Sequence, residues 1–295
     1  SLEHFRPSRI KRYEWMETQR QTYPVQVLAA VLGVSRSGYY AWRHRRPSAR
    51  AQANAALLVA IRKAHAQSRG TYGSPRIWHT IRATHPCGRH RVARLMRQAQ
   101  LQGLPQRRFH CTTQRSDTRW DVPDRLERDF MAATPNRKWV SDITYIPTAE
   151  GWLYLAVILD LYSRLVVGWA MGTELTADLV LTALEMAATR RPLPEGLIYH
   201  SDHGTQYTSA AVQAWLTQHG LLASLGSVGD CYDNAVAESF FSTLKRECVH
   251  RHQFQTRKEA RTVIFEYIEV FYNRERLHST LGYLSPAAFE AANIP

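Results

Sequence analysis

The apolar positions of this chain follow two different periods, and the change falls between residues 103 and 138. Before it, apolar residues recur at helical spacing. After it, short runs of Val, Ile, Trp and Tyr read as strands. Residues 1–24 are basic and polar with aromatics interspersed, and read as a short arm or helix ending at Pro24. Val27, Leu28, Val31 and Leu32 predict a helix that Gly33 stops, and Ser35 or Ser37 can cap a second helix carrying Tyr39, Tyr40, Trp42 and Arg43. This is helix-turn-helix grammar. Pro47-Ser48 opens a second helical unit. It holds an amphipathic helix over 54–67 with Leu57, Leu58 and Ile61, a turn over 69–78, a helix carrying Ile81, and a last helix around Val92, Leu95 and Met96 that closes near Gly103.

Beyond the change of period, residues 138–146, 152–159 and 165–170 predict three strands joined by short turns, an antiparallel meander. A helix over 177–190, a strand over 197–200, a helix over 209–219, a strand over 222–225 and a helix over 234–249 follow. The order βββαβαβα mixes hairpins with crossovers. It predicts an α/β core with a five-stranded mixed sheet flanked by helices, the ribonuclease-H-like arrangement, preceded by all-α helix-turn-helix modules. Thr256-Arg-Lys-Glu259 is a capping box for a C-terminal helix running through Ile264, Tyr267, Ile268 and Phe271. The expected division is a basic arm and helix-turn-helix at 1–46, a second helical DNA-binding module at 47–103, a linker at 104–128, a core at 129–252, and a C-terminal helix and tail packed on it at 253–295.

Charge separates the same two halves. The chain of 295 residues has a formal net charge of +13. Residues 1–125 hold 24 Lys and Arg against 6 Asp and Glu, net +18, which leaves the remainder at −5. A basic half is the footprint of something that neutralises phosphates, and Arg91, Arg94 and Arg97 add a ridge to it. In the first helix pair, Arg36, Tyr39 and Arg43 are placed toward DNA. An acidic half suits a DNA-handling chain when its carboxylates hold metal. No apolar run of about 18 residues, secretory signal or lipidation motif is present, so the expected location is cytoplasmic and nucleoid-associated, with no membrane partner. The four cysteines form no CxxC pair, and His79, His85, Cys87 and His90 lack a regular ligand pattern, so no structural zinc is expected.

Three carboxylates carry the candidate chemistry. Asp142 lies mid-strand in Trp139-Val-Ser-Asp142-Ile-Thr-Tyr-Ile146, Asp202 at the exit of the fourth strand in His200-Ser-Asp202-His-Gly, and Glu238 on the last core helix, with 35 residues between it and Asp202. At about 100° per residue, Val236, Ala237, Phe240, Phe241 and Leu244 form an apolar arc, with Glu238, Ser242 and Lys245 on a stripe at its edge. Three carboxylates on three elements fit a two-metal phosphoryl-transfer site, in which two ions about 4 Å apart activate a nucleophile and stabilise the leaving oxygen. Lys245 would contact phosphate near the scissile bond. Asp160 reads as a turn partner of Arg164. Asp230 and Asp233 sit in a glycine-containing loop, with Asp233 or Asn234 as the helix N-cap.

WVSDITYI, HSDHGTQYTS, the Asp-x35-Glu spacing, CYDNAVAESFFSTLKRE and YNRERLHSTLGYLSP, in that order over residues 25–290, resemble the transposases of the IS-three family of bacterial insertion sequences. Their cores are similar to retroviral integrases. The resemblance implies that Asp142, Asp202 and Glu238 are the metal-binding triad and that Mg2+ is the cofactor, with Mn2+ as a substitute. It also implies nicking and strand transfer at the element's ends through a circular intermediate, by a homo-oligomer on double-stranded DNA comprising the terminal inverted repeats and the target. Such transposases often combine two frames, the upstream one carrying a leucine zipper. This chain has no zipper heptads and resembles the downstream product, with an upstream-frame protein as a further partner. Within the matched motifs, Asn234 and Lys245 are candidate DNA contacts, Arg276 and His278 can meet phosphates, and His203, Gln206 and Tyr207 either position DNA or brace the site. Two rival readings are a ribonuclease-H-like nuclease that cuts without joining and a non-catalytic repressor derived from a transposase.

Overall fold

The structure is a computed structural model that describes residues 8–105, 122–226 and 234–293. Most of the expected linker, together with Asp230 and Asp233, lies outside the described residues. The chain divides into two compact units, residues 1–60 and 61–295.

The first unit opens with α1 (Arg9–Gln19), α2 (Val25–Val31) and α3 (Arg36–Arg43). The turn between the last two follows from one glycine. Gly33 takes φ +62°, Gly33 N–H donates to Ala30 O and Val34 N–H to Ala29 O, a Schellman ending that reverses the chain. Ser35 then accepts from Gly38 N–H at 3.1 Å and caps α3. Tyr13, Met16, Leu28, Ala29 and Tyr39 form the small core. Helical phase departs from expectation at two points. Val27 and Val31 face outward, at 50% and 75% exposure, because only one stripe of a seven-residue helix can reach so small a core. Tyr39, expected on a DNA face, is fully buried and its hydroxyl donates to Glu17. The exposed stripe of α3 carries Arg36, Ser37 and Tyr40 instead.

The boundary at 60/61 falls within α4 (Ala49–Gln67), which precedes α5 (Ser74–Ile81) and α6 (Arg89–Gln98). The five-stranded sheet then runs β1 (Lys138–Thr148), β2 (Gly151–Asp160), β3 (Val166–Gly172), α7 (Ala177–Arg190), β4 (Ile198–Ser201), α8 (Ala210–Gln218), β5 (Leu222–Leu225) and α9 (Ala235–Glu247). Strand order is β3-β2-β1-β4-β5, antiparallel from β1 to β3 and parallel from β1 through β4 to β5. The expected mixed sheet is therefore the observed one. On one face Trp139, Ala156, Ile158 and Val167 pack under α7 and α8. A methyl at Gly168 would sit 2.3 Å from Ala183 O, so only glycine lets β3 and α7 approach this closely. Asp160 is a turn carboxylate, accepting from Asn136 N–H at 2.7 Å and Tyr162 N–H at 2.8 Å.

After α9, α10 (Arg257–Glu266) begins at the expected capping box. Thr256 accepts from Glu259 N–H at 3.1 Å, and Glu259 accepts from Gln255 N–H at 2.8 Å. The helix continues as a π-helical stretch, Tyr267–Glu275, which no apolar period announces. Its wider turn brings Asn273 against the edge of β3, where its amide pairs with both Val166 N–H and Val166 O at 3.0 Å. A last helix, α11 (Pro286–Asn293), went unread in the sequence. Its signal is Ser285-Pro286, with Pro in the first turn and Ser285 accepting from Ala288 N–H at 3.3 Å.

Residues 61–105, the larger part of the helical module expected at 47–103, share a compact unit with the sheet. The physical reason lies in the C-terminal motif. Tyr72 accepts from Leu277 N–H at 2.7 Å, Arg69 pairs with Glu266 at 3.0 Å, and His79 stacks on Tyr283 with ring centroids 3.6 Å apart. Arg276, a candidate phosphate contact in the sequence, lies inside this junction. Its guanidinium grips Glu247 through two bonds of 2.8 Å, with the two side chains 4% and 2% exposed, and Tyr267 donates to the same carboxylate at 2.9 Å. Removing one partner of a buried pair strands the other charge. Arg276→Gln is therefore expected to cost about 3–5 kcal/mol in a urea titration. An unchanged midpoint with weakened DNA binding would return Arg276 to the phosphate role.

Candidate active site

Period two in β1 divides its side chains. Trp139, Ser141 and Ile143 point to the α7 side, and Val140, Asp142 and Thr144 to the other, toward α9. In the parallel register Val140 pairs with His200, so two residues further along Asp142 comes level with Asp202, just past the end of β4. Glu238 lies in the first turn of α9 and Lys245 two turns on, partly buried, with its Nζ 5.0 Å from the centroid of Tyr145 on β1.

The electrostatics show how these groups share space. The Asp142 carboxyl is pushed up to about 8, by loss of water first and then by the negative charge of Asp202, with Glu238 adding to it and Lys245 opposing. Burial raises Asp202 and Glu238 as well. Asp202 as a residue is exposed, yet its carboxyl turns back to accept from Gly204 N–H at 3.0 Å, and Asp142 accepts from Ile143 N–H at 2.7 Å. Each aspartate thus has one oxygen held by backbone, and the second accepts no bond from a described group. Among the described residues no three of His, Cys, Asp and Glu converge tightly enough to clasp an ion by themselves. The carboxylates face a common space rather than a closed shell.

Several side chains hold that space in place. Asn234 stands at the N-cap position of α9 but caps nothing. Its side-chain amide donates to Ser141 O at 3.1 Å and ties the Glu238 helix to the strand beside Asp142. This bond engages the amide of the residue that the sequence offers as a candidate DNA contact. Tyr207, fully buried, meets the Ser141 hydroxyl at 3.3 Å and braces β1 from the opposite face. His203 Nε2 bonds to Gly226 O, joining the loops after β4 and β5. These bracing contacts went unresolved at the level of sequence, where Tyr207 and His203 stood open between support and DNA contact.

The remaining candidates lie elsewhere. Arg36 and Arg43 are exposed on α3, and Arg91 and Arg94 are partly buried on α6. His278 is half-buried, with Nε2 3.3 Å from Arg276 Nη1, and burial with that neighbouring charge holds its pKa far below the usual imidazole range.

The parallel-antiparallel sheet with this helix at its edge defines an integrase-type core joined to a helix-turn-helix-like region. Integrase core domain models match residues 132–231 and 238–294, and an HTH-like domain model matches residues 52–109. That last match falls on α4 to α6 rather than on the α2–α3 pair read as helix-turn-helix in the sequence. Transposase InsF for insertion sequence IS3A of Escherichia coli (strain K12) is 42% identical over 286 residues, covering 96% of this chain and 99% of that protein. The insertion element IS600 uncharacterized 31 kDa protein of Shigella sonnei is 44% identical over 263 residues, 89% of this chain and 97% of that one. The chain belongs to the IS-three (IS3) family of insertion-sequence transposases. Among solved structures, the HTLV-2 integrase catalytic core domain in complex with magnesium is similar at 15% identity and TM-score 0.42, covering 54% of this chain and 98% of that one. No described helix is long and apolar enough to cross a membrane.

The raised Asp142 has a measurable consequence. In the folded chain it keeps its proton up to about pH 8, whereas in the unfolded chain it titrates near its ordinary carboxylate value. Between about pH 4 and 8 the folded state therefore binds more protons, and stability falls as pH rises through that window. Asp142→Asn is expected to flatten this fall in chelator-treated protein followed by thermal unfolding. An identical pH profile in the variant contradicts the assignment.

Proposed function

We propose that this chain catalyses DNA strand cleavage and strand transfer at the ends of an insertion sequence, by two-metal phosphoryl transfer. The observation that carries it is the placement of Asp142, Asp202 and Glu238 on β1, the β4 exit and α9, each with its carboxyl raised by burial and, at Asp142, by its acidic neighbours. Crowded, dehydrated carboxylates with backbone bonds to one oxygen and the other open suit hard divalent cations, whose shells water and substrate oxygens complete. Asp142, Asp202 and Glu238 would hold Mg2+, with Mn2+ as a substitute, and the bound ions would supply Lewis acidity and a lowered pKa at the attacking oxygen.

The chain's own groups do the rest. Asn234 and Tyr207 keep β1 and α9 in fixed relation, so the three carboxylates need not reorganise when charge develops. Lys245 stands on the open side of α9 and meets a phosphate of the reacting strand, while the cation–π contact with Tyr145 orients its ammonium. The basic helical segments bring in duplex DNA, namely terminal repeats and target, through phosphate contacts of Arg36, Arg43, Arg91 and Arg94. Two or more copies assemble on DNA, and an upstream-frame protein is a further partner. The family's two-ended substrate supports the first of these.

Asp142→Asn, Asp202→Asn and Glu238→Gln should each lower nicking of a plasmid carrying the element's ends by well over the ~10–100-fold seen when only a supporting residue of a metal site is removed. Duplex binding should be retained. Pre-cleaved ends incubated with a target plasmid should yield joined product. Nicking without joining points to a nuclease instead, and full activity in Glu238→Gln removes that residue from the chemistry.

A further inference from the structure

On the side of α9 turned away from Glu238, the helix borders a cleft of about 610 Å³ between α5, α9 and the C-terminal motif. Four guanidiniums line it, those of Arg76, Arg164, Arg246 and Arg276, and among the described residues no carboxylate does. Arg276 is neutralised by Glu247. The other three are not matched in the same way. Arg76 lies over the Tyr72 ring at 5.4 Å and makes no hydrogen bond to a described group. Arg164 uses Nη2 on Phe130 O at 3.4 Å, while its Nη1 is buried without a partner among the described residues. Arg246 reaches Glu247 only at 3.9 Å, and its buried Nε also lacks a described partner.

Buried guanidinium donors without acceptors cost free energy, and like charges gathered in a cleft cost more. Both costs vanish when an anion enters. Arg76 is already pushed down by loss of water and by Arg276, as expected for a charge that has positive neighbours. The lining hydroxyls fit the same guest. Thr182, Thr189, Thr217 and Thr262 each donate back to the carbonyl four residues earlier in their helices, but Ser239 and Thr243 make no such bond to a described group. They remain able to donate into the cleft. Tetrahedral oxyanions take such converging guanidinium and hydroxyl donors.

We propose that this cleft is a second phosphate-binding site, which holds a backbone phosphate of the DNA strand reacting at the triad. The assignment to DNA rests on the function proposed above. Ser239, Thr243 and Arg246 lie one, five and eight residues beyond Glu238, so a single helix separates cleft from carboxylates. A helix is about 10–12 Å across, close to three nucleotides at ~3.4 Å of rise along a strand. The cleft therefore anchors the strand a few nucleotides from the scissile bond, with α9 as the rail between the two points.

The test is binding of a fluorescein-labelled linear DNA duplex at rising KCl, with wild type, Arg76→Gln/Arg246→Gln and Thr243→Glu. Every phosphate that the protein no longer neutralises lowers the slope of log K against log salt by about one, so the double glutamine variant, which loses the one phosphate held in the cleft, should show a slope smaller by about one. Arg76→Lys/Arg246→Lys keeps the charges and should keep the slope, which a merely structural defect would not do. Thr243→Glu leaves all four arginines in place and should weaken binding by adding a negative charge, so the test stands even if the double variant unfolds. Wild-type slope in the double variant together with wild-type affinity in Thr243→Glu overturns the cleft while leaving the transposase reading intact. A wild-type chain that binds no duplex contradicts that reading and the DNA assignment together. Broadening of the inorganic phosphate line in phosphorus NMR that the double variant abolishes, with the DNA slope unchanged, assigns the cleft to free phosphate and overturns the DNA source.

Discussion

Three carboxylates repel one another, and a fold that keeps them together without a cation must hold each on a separate rigid element. Here Asp142 is fixed within a central strand, Asp202 at the end of its parallel neighbour, and Glu238 on a helix packed across them. Loss of water first, and then the negative charge of Asp202, pushes the Asp142 carboxyl far above the ordinary carboxylate range. The bond from Asn234 to Ser141 O sets the distance between strand and helix, and Tyr207 backs the strand from behind. Electrostatic strain at the site is thereby balanced by hydrogen bonds and packing in the layer around it, the usual bargain at a preorganised centre.

α9 is the element through which the rest of the molecule communicates with that centre. Its buried arc, Ala237, Phe240, Phe241 and Leu244, rests on the sheet side, while its last turn buries Glu247 against Arg276 and Tyr267. The C-terminal motif that supplies Arg276 also binds Tyr72 and His79 of the helical segment. A stretch that reads as a basic, DNA-facing tail is in this way the joint between a helix-turn-helix-like domain and the integrase-type core. Its charges are largely committed to holding that joint, and the surplus guanidiniums of the adjoining cleft face open space.

The mixed sheet, the chain order of its elements and the elements bearing the three carboxylates were legible because the strands are rich in Val, Ile, Trp and Tyr and the turns between the first three carry their own punctuation. Residues whose role depends on phase or on a distant partner were not. Tyr39 and Tyr40 are neighbours in sequence and differ only in which side of α3 meets a five-residue core. Arg276 looks like a surface cation until Glu247, 29 residues earlier, is seen to close on it. Asn234 carries a capping residue type at a capping position and spends its amide on another element. The π-helical stretch arises from the pull of Asn273 toward the edge of β3, a tertiary contact with no local signature.

The central claim is that Asp142, Asp202 and Glu238 form one divalent-cation site, and proton release tests it most directly. Titration of the chain with Mg2+ in a calorimeter, at neutral pH in two buffers of different ionisation heat, reads the number of protons displaced. A site built on a carboxyl raised to about 8 must give up close to one proton from Asp142 as the cation binds, and Asp142→Asn must give up fewer protons than the wild-type chain. Binding of Mg2+ with no buffer dependence in the wild-type chain, or equal proton release in the variant, would contradict the account.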